Sequence, residues 1–185
     1  ENATPGGPRP EPGPLRVEDP PCSLDPPGGG RTADPRGGGF GGSRWYAARR
    51  MPVLWPFGHG MGYTGFVYRN ARLSANTLAE GGEVKVCVTV KNSGAVRGAE
   101  VVQLYISDET GAPIAGGRVP QVLRGFSKVW LDPGEERDVE FVLTARDLAH
   151  YDPTRRAWHT APGRYLLRLG HTSRDIRASL GLNFG

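Results

Sequence analysis

The sequence is short of the residues that usually carry chemistry. Two of its 185 residues are cysteine, Cys22 and Cys87. They make neither a disulfide framework nor a thiolate metal spacing, so they leave the redox compartment unread. The histidines are His59, His150, His159 and His171, with no i, i+4 pair among them, which excludes a helical metal-ligand set. Lysine occurs only at Lys85, Lys91 and Lys128, and the formal excess of +4 is spread thinly. Without a basic run there is no footprint for nucleic acid or for a membrane surface. No apolar run approaches the roughly 20 residues of a membrane-spanning helix.

Two stretches imitate active sites and fail on context. Gly58-His59-Gly60-Met61-Gly62 is glycine-rich, but it follows no strand of a βαβ unit and opens no helix. No helix N-terminus waits there for a phosphate, and no cofactor is expected. His171-Thr172-Ser173-Arg174-Asp175 holds the three residue types of a hydrolytic triad. Triads are assembled in space from distant segments, and these residues read as a turn between strands.

What the chain has in quantity is glycine and proline, 28 and 17 copies. Residues Glu1 to Gly42 hold 11 glycines and 10 prolines, half of that segment. A non-repetitive segment passes for disordered above roughly 25–30% of these residues, so residues 1–43 are expected to be a disordered tail or linker. The tail contains Cys22 and a glycosylation sequon, Asn2-Ala3-Thr4. It begins at Glu1 rather than Met, which leaves room for a removed leader.

Order restarts at Arg44-Trp45-Tyr46, and residues 44–65 form a strap. Its centre is Pro52-Val53-Leu54-Trp55-Pro56-Phe57-Gly58-His59-Gly60-Met61-Gly62-Tyr63. Prolines forbid a helix and glycines let backbone approach other groups closely. Two readings stand: a rigid strap that docks one body onto another through Trp55, Phe57, His59 and Tyr63, or an ordinary loop with a few buried aromatics.

From Phe66 onward the period is two. Val67–Leu73 reads as a first strand. In Glu83–Asn92, Val84, Val86, Val88 and Val90 share one face while Lys85, Cys87, Thr89 and Lys91 share the other. Glu100–Ser107, Val122–Leu131, Arg137–Leu143, Arg164–Gly170 and Ile176–Phe184 continue the pattern. Gly125 marks a bulge, and Asp108–Gly117 reads as a polar loop. Ala145–His150 has room for one helical turn, after which Tyr151 is placed to bond the backbone as a corner tyrosine does. About seven short strands with turns every 8–12 residues predict an all-β, immunoglobulin or fibronectin type III-like antiparallel sandwich over 66–185.

The carboxylates Asp132, Glu135 and Glu136 flank a Pro-Gly turn, and nothing apolar beside them would raise a pKa. Trp130 lies out of phase with the core-facing Val129 and Leu131, so its indole is expected to face outward, either as a flat platform or beneath a loop.

Several motifs resemble one family together. Trp55-Pro56-Phe57-Gly58-His59-Gly60-Met61-Gly62-Tyr63-Thr64-Gly65-Phe66 resembles the PFGHGLSYTTF signature of family 3 glycoside hydrolases, the β-glucosidase and β-xylosidase family. In order there follow Val88–Gly94 (V-x-N-x-G), Gly98–Tyr105 (G-x-E-V-V-Q-L-Y), Leu123–Phe126 (L-x-G-F), Leu131–Glu135 (L-x-P-G-E) and Asp147–Asp152 (D-L-x-x-Y-D). Trp158 and Pro162-Gly163 also have counterparts, so the likeness runs from Arg44 to the C-terminus. Met61-Gly62, Gly65 and Val119–Val122 depart from the pattern.

The resemblance implies a C-terminal fibronectin type III-like domain with the strap that joins it to the catalytic body. Its partners would be the catalytic domains, and its setting extracellular. The family's nucleophilic aspartate and acid/base glutamate belong to two earlier domains that this sequence does not include. Retaining hydrolysis needs two carboxylates about 5 Å apart, and no residue here inherits either role. A free-standing module that stacks oligosaccharide on Trp130 or Trp158, or a homodimerising domain, are the alternatives.

Overall fold

A computed structural model of the chain describes residues 43–48, 51–108, 121–152 and 155–185. The glycine- and proline-rich tail, with Cys22 and the sequon, lies outside the described residues, as does nearly all of the expected polar loop. A short helix, α1 (Ser43–Ala48), comes first. It was not foreseen, because six residues are too few to show a period. The irregular strap leads from Met51 to β1 (Phe66–Leu73). There follow β2 (Thr77–Leu78), β3 (Glu83–Asn92), β4 (Gly98–Asp108), β5 (Val122–Leu131) and β6 (Glu136–Thr144). A single turn of helix, α2 (Ala145–Leu148), leads to β7 (His150–Asp152), β8 (Ala157–His159), β9 (Gly163–Gly170) and β10 (Ile176–Phe184).

Two sheets stack face to face. One has the order β1-β3-β6, the other β2-β10-β9-β4-β5, and β7 and β8 pair as a separate ribbon. All pairings are antiparallel except the short β2 against β10. The alternation of β3 sets the core. Val84, Val86, Val88 and Val90 are fully buried and meet Val102, Leu104 and Ile106 of β4 with Leu167 and Leu169 of β9. Each such side chain contributes about 1.5–3 kcal/mol by leaving water. Cys87, on the opposite face of β3, is also buried. On that face Arg72 meets Asp138 at 2.7 Å and Thr89 donates to Asp138 at 2.6 Å, and Asp138 lies close enough to act on the thiol electrostatically.

The remaining turns follow their sequences. The β4–β5 register slips between Leu104 and Tyr105, leaving Arg124 as the extra residue of a bulge beside Gly125. Gly134 takes a φ of +79° in the turn before β6, where the Glu135 amide donates to the Asp132 carbonyl at 3.0 Å. α2 opens on a capping box, with Asp147 accepting from both the amide and the hydroxyl of Thr144.

One assignment in this region changes. Tyr151 is half-exposed and packs edge-on against Trp158, with ring centres 5.9 Å apart. The tyrosine whose hydroxyl reaches the backbone is Tyr165, which donates to the Ala161 carbonyl at 2.7 Å. Tyr165 points into the core from β9, whereas the alternation of the β7–β8 ribbon turns Tyr151 outward.

Candidate docking face

Arg174 donates to the Met51 carbonyl near the start of the strap, and two further anchors join the strap to the sandwich. The first is built on Gln103 of β4. Its side chain spans two partners, donating to the His171 carbonyl and accepting from the Tyr105 hydroxyl. Gly58 rests on this carboxamide with a φ of +83°. A Cβ there would come within 2.3 Å of Gln103 Nε2, so both the conformation and the close approach call for glycine. Next to it the Ser173 amide donates to the Phe57 carbonyl at 2.9 Å, and the His59 amide closes a turn on Pro56 at 3.0 Å.

The second anchor is Thr64. Its hydroxyl donates to Asn92 Oδ1 at 2.5 Å. Asn92 is fully enclosed and uses its whole side chain: Nδ2 donates to the carbonyls of Val96 (2.8 Å) and Leu131 (3.0 Å), and Oδ1 also accepts from the Gly94 amide (3.0 Å). A Cβ at Gly94 would fall 2.2 Å from Thr64 Oγ1, and one at Gly98 would fall 2.4 Å from Thr64 Cγ2. The two glycines thus form a socket for Thr64. The asparagine-glycine spacing in Val88–Gly94 is the sequence trace of this joint.

On either side of the first anchor the large side chains of the strap point into solvent. Tyr63 is 100% exposed, Met61 and Leu54 are each 90% exposed, and Trp55 and Phe57 are at least half exposed. Trp55 and His59 stack on one another with ring centres 4.6 Å apart. Beside them a groove of about 280 Å³ is lined by Tyr46, Val53, Trp55, Phe57 and Arg174. The reading of this stretch as a loop with buried aromatics is therefore overturned. Together these side chains form an exposed apolar surface that the sandwich itself does not cover.

Beneath the first anchor lies a polar cluster that sequence reading missed. Glu100 is 2% exposed and projects toward the core from β4. Its Oε1 accepts from the Tyr68 hydroxyl at 3.0 Å and lies 2.6 Å from His171 Nδ1. Burial, and then the Glu100 charge, push the Tyr68 phenol far above its ordinary range. Asp175, held low by its two bonds to Arg177 at 2.6 and 2.7 Å, completes the turn. His171 thus serves the turn that carries the strap. In the sequence a glutamate at an inward position of β4 is the signal that was available.

The two candidate platforms differ. Trp130 of β5 is half-exposed, with Lys128 and Arg97 lying 5.2 and 5.6 Å from its ring centre. Trp158 is half-exposed as well, but Arg146 sits over its ring at 3.9 Å and Tyr151 meets it edge-on. The face that Arg146 covers is closed to a sugar. His150 and His159, across the β7–β8 ribbon, stack edge to face 5.8 Å apart. No cluster of three or more metal-binding side chains occurs among the described residues, and no described helix is long and apolar enough to cross a membrane.

Two stacked antiparallel sheets, entered through an anchored strap, define a class, and comparison with known proteins agrees. The family model "Fibronectin type III-like domain" matches residues 100–173. The chain is 36% identical over 172 residues to thermostable β-glucosidase B of Acetivibrio thermocellus, a match taking in 93% of this chain and 22% of that protein. It is 35% identical to a β-glucosidase of Bacteroides ovatus, over 98% of this chain and 24% of that one. The second match therefore extends well into the glycine- and proline-rich tail. The crystal structure of the Bifidobacterium adolescentis family 3 β-glucosidase superposes with a TM-score of 0.71 at 32% identity, covering 80% of this chain and 21% of that chain.

The chain thus spans about a fifth to a quarter of the length of these relatives. Residues 100–173 match a fibronectin type III-like domain, and the chain is similar to the corresponding part of these family 3 β-glucosidases.

Proposed function

We propose that the chain is a non-catalytic brace for the catalytic domains of a family 3 glycoside hydrolase, an enzyme that cleaves O-glycosyl bonds of β-glucosides or β-xylosides. One observation carries the reading. The strap is tied to the sandwich through the Met51 and Phe57 carbonyls and the Thr64 hydroxyl, while the side chains of Leu54, Trp55, Phe57, Met61 and Tyr63 are exposed. An element shaped in that way spends its apolar surface on a neighbour. The relatives supply one, since more than three-quarters of their length lies outside the match. The buried carboxylate among the described residues, Glu100, is occupied by Tyr68 and His171 and serves the fold.

A chimera tests the proposal. In the Acetivibrio thermocellus relative the matched stretch is replaced by this chain, and thermal inactivation is followed on an aryl β-glucoside. The chimera is expected to outlast the same enzyme with the stretch deleted. The isolated chain is expected to leave nitrophenyl glucoside and xyloside intact, and turnover at enzyme-like rates would end the non-catalytic reading.

A further inference from the structure

We infer that the docking face extends beyond the strap onto strand β5, where Phe126, Lys128 and Trp130 form its second half. The inference rests on the bracing role proposed above and adds residues to it. The register carries it. Phe126 pairs across the ladder with Gln103, Lys128 with Val101 and Trp130 with Ala99, without a slip in between. Paired residues share a sheet face, so Phe126 stands beside the carboxamide on which Gly58 rests. At the other end Gly98, part of the Thr64 socket, pairs with Leu131, the neighbour of Trp130. The Gln103 anchor therefore lies on the outward face of β5 beside Phe126, and the Thr64 anchor lies at the end of the strand next to Trp130, on the inward side of the sheet.

Those side chains are unusual for a sheet surface. Phe126 is 70% exposed and Trp130 52% exposed, on the sheet face to which Gln103, the support of Gly58, also turns. With the aromatics of the strap they make a composite apolar surface of the kind that marks an interaction site. Its charge is positive: Lys128 lies on the same face and Arg97 flanks Trp130, though Arg97 also pairs with Asp132 at 3.3 Å. The occupant to which this commits is the catalytic body of the parent hydrolase, meeting β5 with an apolar patch and an acidic rim. Sugar stacking on Trp130 is the competing outcome.

The same chimera, carrying the whole chain, separates the possibilities. Three variants are compared: Trp55→Ser with Phe57→Ser on the strap, Phe126→Ser with Trp130→Ser on β5, and Lys128→Glu. Melting of the isolated chain is expected to stay unchanged in all three, because these side chains are exposed. In the chimera the strap pair and the β5 pair are each expected to shorten the half-life of inactivation roughly tenfold or more, as loss of central interface aromatics does. Lys128→Glu, which removes no packing, is expected to shorten it several-fold. If the strap variant acts and neither β5 variant does, this inference falls and the brace stands. If none acts, both fall. Quenching of Trp130 by millimolar cello-oligosaccharide, with the half-life unmoved by the β5 variants, would assign the surface to sugar instead.

Discussion

The Thr64 hydroxyl lies 2.5 Å from Asn92 Oδ1 and donates to it, tying the strap to a side chain that has no contact with solvent. Asn92 in turn holds the carbonyls of Val96 and Leu131 and the amide of Gly94. One amide side chain therefore joins β3, the turn after it, the end of β5 and the strap.

Asn92→Ala would strand these partners in a dry site. A buried group left without its bond costs roughly 1–3 kcal/mol, so the variant is expected to lose about 3 kcal/mol or more. Calorimetry of the isolated chain would read this as a lower Tm. An unchanged Tm would mean that water replaces the side chain.

Gly58 and Gly60 make a matched pair. Gly58→Ala meets Gln103 and keeps an unfavourable positive φ, whereas Gly60 has nothing within 4 Å of the Cβ position. Limited proteolysis within the strap is expected to speed up several-fold in Gly58→Ala and to stay as it is in Gly60→Ala. Since the anchor lies outside the core, the melting of the sandwich itself should move by no more than about 1 kcal/mol.

Val88→Asp places a carboxylate at the centre of β3, where Val88 is fully buried. The penalty for an unpaired buried charge is several kcal/mol, against a usual total stability of about 5–15 kcal/mol. The variant is expected to be unfolded at neutral pH, with a collapsed far-ultraviolet β signal.

The two pH limbs have opposite origins. Glu135, Asp138 and Asp175 are each held below the ordinary carboxylate range: by the Asp132 amide, by the Thr89 hydroxyl and by Arg177 respectively, with Arg137 and Arg72 adding to the first two. A depressed folded pKa gives stability that is complete above the unfolded value, near 4, and is lost as pH falls through the lower folded value. The urea midpoint is expected to be level from about pH 5 to 7 and to drop below about pH 4. The drop should be shallower in Asp175→Asn. Burial pushes the Tyr105 phenol from 10.0 up to about 12. A raised folded pKa gives stability that is present below 10.0 and is lost as pH rises through 12. Absorbance at 295 nm should show Tyr105 ionising late, together with alkaline unfolding.

Much of the sandwich was legible because β structure writes itself into alternation. Val84 to Val90 announced both the strand and its inner face, and the Asp132–Gly134 turn was marked by the residues that such a turn demands. The β7–β8 ribbon was missed because three-residue strands are too short to alternate visibly. The corner tyrosine was misplaced because Tyr151 and Tyr165 differ only in which way their strands turn them. The proposed docking face was half legible. Trp55, Phe57, His59 and Tyr63 stood out by composition, whereas Phe126 looked like any aromatic in a strand.

The order of residues by itself determined the strands, their inner faces and the family, since each rests on local periodicity or on motifs contiguous in the chain. Only the tertiary structure decided that Gln103 supports Gly58, that Asn92 receives Thr64, and that Glu100 meets Tyr68 and His171. These contacts join residues 28 to 71 positions apart. Which distant residues become neighbours is set by sheet register and strand order, and neither is encoded in a local window.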